Sequence, residues 1–205
     1  MSWLIGELRS DRSSEVFDLQ EKDKYNFTLL HHALHNANCE ESSIVVEQLL
    51  YSGNFKVTDT DKQGNTCLHS PASFDSQKGN KLLDLFLDND THLPEMIEAE
   101  NNQGRTPIHV ASSVGNVDSV KKLLKKSKNA SAIIKRPDTN GQCPLLLAIE
   151  SGNCDVVKIL RKHGAEVSKE AIDCAVRYQS STGCPWHGFQ EFFRLSARTS
   201  ETNLR

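Results

Sequence analysis

Residues 101–124 read NNQGRTPIHVASSVGNVDSVKKLL, and they decide the fold. Gly104 marks a turn. Thr106 is placed to cap a helix, and Pro107 opens it at the first position, where a missing N–H costs nothing. Ile108 and Ala111 give a small apolar face, and Gly115-Asn116 stops the helix. Val117, Val120, Leu123 and Leu124 recur at helical intervals and form the apolar face of a second helix. One such turn–helix–loop–helix unit cannot bury its own apolar face, so it needs neighbours.

The register recurs outward. Upstream, Asp61-Lys62-Gln63-Gly64-Asn65-Thr66-Cys67-Leu68-His69 repeats the turn, the cap and the histidine. Thr28-Leu29-Leu30-His31 repeats them again, with Asn26 in the turn position, where asparagine tolerates left-handed backbone. Downstream, Gly141, Pro144, Ala148 and Gly152 keep the pattern, while Cys143 takes the cap position and Leu146 the histidine position. Positions 28, 66, 106 and 143 are equivalent, spaced 38, 40 and 37 residues apart. Second-helix faces come next at Val45, Val46, Leu49 and Leu50, at Leu82, Leu83, Phe86 and Leu87, and at Val156, Val157 and Leu160.

This recurring turn, Thr-Pro-Ile-His and paired-aliphatic pattern resembles the ankyrin repeat. The resemblance implies an all-α ankyrin-repeat solenoid with short β-hairpin-like turns, about four central repeats and divergent terminal caps. Residues 1–22 are expected to be an N-terminal capping partial repeat, with short helices near Trp3–Arg9 and Ser14–Leu19. Residues 23–168 are expected to hold four repeats and 169–195 a C-terminal capping helix pair. Ala171, Ile172, Ala175 and Val176 face the stack in that pair, and Trp186, Phe189, Phe192, Phe193 and Leu195 load its second helix. Residues 196–205 read as a disordered tail. The family period is about 33 residues, so each interval is long and the excess is expected in inter-helix loops or hairpins. About four extra residues fall around Asn36–Ser43. Asp88–Glu100 is long and acidic, with Leu93, Met96 and Ile97 as an apolar anchor and an extra turn after Pro94. Lys125–Pro137 is long and basic. Pro71 stands where the small alanine is expected inside a first helix, which should be shortened or bent there; Ser73–Gly79 reads as loop.

Composition bounds the function. A net charge of −3 gives no support to bulk attraction for nucleic acid or membrane. MSWLIGELRS has no long apolar run and predicts neither signal peptide nor membrane anchor. Six scattered cysteines without a CxxC pair suggest a reducing compartment, in cytoplasm and also nucleus.

No catalytic constellation or phosphate-binding loop is present, so no enzyme and no cofactor are expected. His31, His69 and His109 share one repeated position. In the resembled family this imidazole hydrogen-bonds backbone or the capping threonine across adjoining turns. Cys174, Cys184 and His187 have poor zinc-ligand spacing and lack a fourth ligand, so no metal is expected.

What remains is surface. The resemblance implies protein binding by turn tips and the inner faces of first helices. The matching tips are Lys62, Gln63 and Asn65, then Asn102, Gln103 and Arg105, then Thr139, Asn140 and Gln142. The groove positions are His32, Ser70, Val110, Ser113 and Leu147. The expected function is a noncatalytic protein–protein interaction module, a monomer when free, acting as an inhibitor or scaffold for a signalling or transcription protein. Its partner is another protein, with no nucleic acid and no membrane insertion. The long repeats are similar to those of inhibitors of the NF-kappa-B type, without their Asp-Ser-Gly run. LLLAIESGNCDVV resembles the ankyrin region of TRP-type channels, the alternative being a cytosolic region of a larger channel. A third reading is the adaptor domain of a larger enzyme such as a kinase or ubiquitin ligase.

Overall fold

The computed structural model describes residues 21–35, 40–51, 59–73, 77–89 and 93–182. Short first helices alternate with longer second helices. The first-helix set is α1 (Leu29–His35), α3 (His69–Ser73), α6 (Pro107–Val114) and α9 (Pro144–Glu150). The second-helix set is α2 (Glu40–Tyr51), α4 (Gln77–Asn89), α7 (Val117–Lys126) and α10 (Cys154–Lys162). Short helices α5 (Leu93–Glu98) and α8 (Ala130–Ile133) lie in the connections, and α11 (Lys169–Thr182) ends the described chain.

Two layers result. In one, α1, α3, α6, α9 and α11 pack in that order; in the other, α2, α4, α7 and α10 do. The described part is thus an all-α solenoid. Its core is one continuous cluster between the layers, from Leu30 and Leu34 through Phe86 to Leu160 and Ala175. Small side chains at equivalent positions, Ala33, Ala111 and Ala148, let successive first helices approach closely. Full burial of Phe86 contributes about 2 kcal/mol.

Several expectations need correction. Among the described residues none is in a strand; the expected hairpin-like turns are tight loops closed mainly by an acidic or amide side chain. The second unit's first helix is short, five residues ending at Ser73. Yet Gln77–Gly79, expected as loop, is already helix α4. The apolar face at Leu82 needs a preceding turn to make its backbone bonds, and Gln77 and Lys78 are good helix formers. Likewise α2 begins at Glu40, inside the expected extension. The connection 125–137 is not plain loop. Ile133 and Ile134, each 1% exposed, anchor α8 into the core. The extra turn around Pro94 is there, starting at Leu93, with Met96 and Ile97 buried. In α11, Ala171 and Ala175 are buried as expected, but Val176 is 45% exposed, and Cys174 takes the inward place. The expected helices at Trp3–Arg9, Ser14–Leu19 and Trp186–Leu195 lie outside the described residues.

Candidate protein-binding surface

The edge of the solenoid is built from four turns of one design. In each, an Asp or Asn side chain folds the chain back over itself. Asp23 Oδ1 accepts from the N–H groups of Tyr25 and Phe27 (2.8 and 2.9 Å). Asp61 does the same for Gln63 and Asn65 (both 2.8 Å), Asn101 for Gln103 and Arg105 (both 3.0 Å), and Asp138 for Asn140 and Gln142 (2.8 and 2.9 Å). The fourth residue must be left-handed. Asn26 has φ 66°, and Gly64, Gly104 and Gly141 take 76°, 68° and 77°. These side-chain acceptors satisfy turn amides that no strand partner reaches.

The turns stack. Lys62 N–H donates to the Tyr25 carbonyl (3.3 Å), Asn102 N–H to Gln63 (2.9 Å) and Thr139 N–H to Gln103 (2.9 Å). Side chains lock the ladder: Asn102 Nδ2 donates to the Lys62 carbonyl (2.8 Å), Asn101 Nδ2 to Asn65 Oδ1 (2.9 Å), and the Arg105 Nε–H to Asp138 Oδ2 (2.9 Å). Asp138 is held below the usual carboxylate range. Burial pushes it up, but the Gln142 amide, the Arg105 guanidinium and the Asn140 amide outweigh that.

Behind the tips the recurrent histidines bolt unit to unit. His69 Nδ1 accepts from the Thr66 N–H (3.1 Å), and its Nε2–H donates to the Arg105 carbonyl of the next turn (2.9 Å). His109 accepts from Thr106 N–H (3.2 Å) and donates to the Arg136 carbonyl (3.0 Å). His31 accepts from Thr28 N–H (3.3 Å) and donates to the Asn65 carbonyl (3.3 Å). A carbonyl can only accept, and an amide N–H can only donate, so each ring is the neutral Nε2–H tautomer. Burial lowers all three pKa values, that of His109 to about 4. The histidines are structural bolts, as their repeated position implied.

The acidic and basic connections face each other and pair. Lys122 reaches Asp84 (2.8 Å), Lys126 reaches Asp88 (3.1 Å), and Arg136 reaches Glu100 and Glu98 (3.3 and 3.8 Å). Each pair is partly or largely exposed and contributes at most about 1 kcal/mol, yet together they cancel much of the charge contrast.

The candidate positions separate by burial. Lys62, Gln63, Asn102, Gln103, Thr139, Asn140 and His32 are exposed. Asn65, Arg105, Gln142, Ser70, Val110 and Ser113 are half-buried. Leu147, expected to face the groove, is 4% exposed and sits on α9 where α11 packs against it, so it offers no free surface. Asn65, Asn102 and Arg105 commit polar atoms to the ladder. Gln103 and Asn140 carry side chains without such a role. Sequence reasoning stopped at the second tip and so passed over Lys24 and Tyr25; extending the register one unit back from Lys62 and Gln63 finds them. It also passed over Val114, 40% exposed at the end of α6.

Among the described residues no group of His, Cys, Asp and Glu could hold a metal ion, and no helix is long and apolar enough to cross a membrane. Cys184 and His187 lie outside those residues.

A helix-pair solenoid with a stacked-turn edge presents a long, preorganised surface. Residues 76–171 match the family model described as ankyrin repeats (3 copies). No curated protein matches the chain.

Proposed function

We propose that this chain is a noncatalytic interaction module that holds another protein along its turn tips and the inner face of its first helices. In this reading it is a scaffold or inhibitor for a signalling or transcription protein in cytoplasm or nucleus. Repeats run over residues 23–168, and residues 1–22 and 169–195 cap the two ends. The observation that carries it is the ladder of stacked turns. Backbone and ladder side chains fix the tips rigidly, so Gln103 and Asn140 are presented in line at little further cost in conformational entropy on binding. Four described cysteines are free thiols, which supports a reducing compartment.

The test is site-specific photo-crosslinking in cell extract. A crosslinker at Gln103 or Asn140 is expected to give a discrete adduct, lost on Gln103→Arg with Asn140→Arg. The same crosslinker at Lys121, on the outer helix α7, is expected to give none. Adducts from Lys121 alone would overturn the reading.

A further inference from the structure

The four tips are not alike, and the first two carry a charge feature that the rest lack. Tyr25, at the first tip, is 51% exposed. The Lys24 Nζ lies 4.9 Å from its ring centroid and the Lys62 Nζ of the next tip lies 5.0 Å from it. The two ammonium groups are therefore at most about 10 Å apart, a spacing comparable with the screening length in physiological salt.

Among the described residues, the carboxylates of Asp23, Asp61 and Asp59 are occupied. Asp23 gives one oxygen to the turn amides of Tyr25 and Phe27 and sets the other 3.0 Å from His32 Nε2. Asp61 is taken up by Gln63, by the Asn65 amide and by Asn65 Nδ2. Asp59 pairs with Lys22 at 3.0 Å. The turn design thus occupies the acidic groups and leaves two lysines facing outward on one aromatic ring. Two residues further along the chain, Phe27 packs on the rings of His31, His32 and His35 (centroids 5.9, 5.4 and 6.2 Å apart). The corresponding side chains on later tips, Asn102, Gln103, Thr139 and Asn140, are uncharged.

We propose that the first two tips are an anchor for an acidic peptide segment of a partner protein, with Lys24 and Lys62 pairing its carboxylates over the Tyr25 ring. This rests on the reading of the tips as the binding edge and adds the partner's chemistry. Two cations succeeded by a line of amide side chains suit a short acidic stretch whose backbone continues past Gln63 and Gln103. A nucleic acid presents a charge every ~1.7 Å of duplex, and two cations flanked by the Asp23 and Asp61 carboxylates do not match that density.

The test is fluorescence anisotropy of a fluorescein-labelled hexaglutamate peptide with the full chain at low and physiological salt. Binding is expected, weakened by added salt. Lys24→Ala with Lys62→Ala is expected to weaken it at least tenfold and Tyr25→Ala several-fold, both with unchanged melting temperature. The charge-reversed pair Lys24→Glu and Lys62→Glu is expected to abolish it. Equal binding by the wild type and the double alanine variant overturns the proposal. So does tighter, lysine-dependent binding of a labelled ten-residue oligothymidylate or of phosphatidylserine vesicles, or loss of the site to self-association in sedimentation. If hexaglutamate fails to bind while the Gln103 crosslink persists, the anchor is wrong and the binding edge stands; if both fail, both readings fall.

Discussion

The third and fourth units share a turn, a proline-opened first helix and a glycine stop, but each is tied to its downstream neighbour by opposite means. In the third, Thr106 and His109 join α6 to the Arg136 carbonyl, and Arg105 reaches Asp138. In the fourth, Cys143 and Leu146 replace the pair, and α9 is tied to α11 mainly by apolar packing of Leu145, Ala148 and Ile149 beside Ala171, Cys174 and Ala175. The reason lies downstream. A histidine bolt needs a carbonyl set by the next unit's turn, Asn65 and Arg105 within it for His31 and His69 and Arg136 two residues before it for His109, and the sequence from Ala165 to Thr182 holds no Asp/Asn-x-x-Gly turn. A buried imidazole there would have an N–H to satisfy and no such acceptor. The polar bolt belongs to junctions that have a turn on both sides, and apolar packing takes over where the turns end.

The sharpest way to break that contrast is His109→Leu. It leaves the Thr106 N–H and the Arg136 carbonyl without their partner, and a loss of about 3 kcal/mol in urea-melt stability is expected. The reverse graft, Cys143→Thr with Leu146→His, is expected to gain nothing. If His109→Leu is tolerated as well as the natural Leu146, the bolt is ornamental and the contrast fails.

Acid sharpens the same point. Unfolded His109 takes a proton near pH 6.5, whereas the folded ring resists until about 4. Stability from this group is therefore full above pH 6.5 and is lost as pH falls from there towards 4, by about 2 kcal/mol at pH 5. His31 and His69 act in the same direction. Asp138, held low, acts in the same direction at lower pH: its contribution is present above the usual carboxylate range and is lost as pH falls below it. Urea melts from pH 7 to 5 are expected to fall steeply for the wild type and less steeply for His109→Leu. Parallel slopes would remove the histidine from the account.

The tips carry a graded version. A Cβ on Gly64 would lie 2.6 Å from Asn102 Oδ1 and 2.8 Å from its backbone nitrogen, because the next turn sits on it. A Cβ on Gly141 meets nothing within 4 Å, because no turn among the described residues stacks on that tip. Both have positive φ and both incur left-handed strain of roughly 1 kcal/mol with alanine. Gly64→Ala is expected to cost at least about 1 kcal/mol more than Gly141→Ala in thermal melts, and equal costs would mean that the ladder yields at that tip.

Much of this was legible in the sequence, for reasons that differ by residue. The Thr–His pair, the glycine stops and Asn26 in the left-handed place carry a fixed local conformation, and local conformation repeats with the register. The roles of Asp23, Asp61, Asn101 and Asp138 were not read, because an acidic residue at a turn looks like solvated surface until its oxygen is seen on two amides. Ile133 and Ile134 were hidden among lysines and arginine in a stretch too short for a helical period. Arg105 and Asn102 read as binding residues because they stand at tips; their partners lie more than 30 residues away, where no local pattern reaches. Leu147 was placed in the groove by register, yet it is 4% exposed on a helix that α11 packs against, and the position of α11 obeys no repeat.

The smallest effect is expected at Pro71, and it bears on why the second unit differs from the third without breaking the stack. Pro71 stands where Ala111 stands in α6, and α3 spans five residues against eight. The proline has no N–H to offer the Cys67 carbonyl and disfavours helical backbone at Ser70. Yet the end of the helix is finished alike in both units: Ser73 Oγ donates to the Ser70 carbonyl (2.7 Å) as Ser113 Oγ does to Val110 (2.8 Å). Pro71→Ala would restore a donor and relieve the ring clash. It would also remove buried ring carbons, at about 0.8 kcal/mol for each methylene, and free the unfolded chain by roughly 0.4–1 kcal/mol. These terms oppose one another, so a net change within about 1 kcal/mol of wild type is expected in urea melts. Hydrogen exchange at the new amide separates the outcomes. Strong protection means that α3 can become regular and that the proline alone shortens it. An unprotected amide with a loss above about 2 kcal/mol would mean that the ring itself fills the space between α1 and α6, and that the shortening is a consequence of packing.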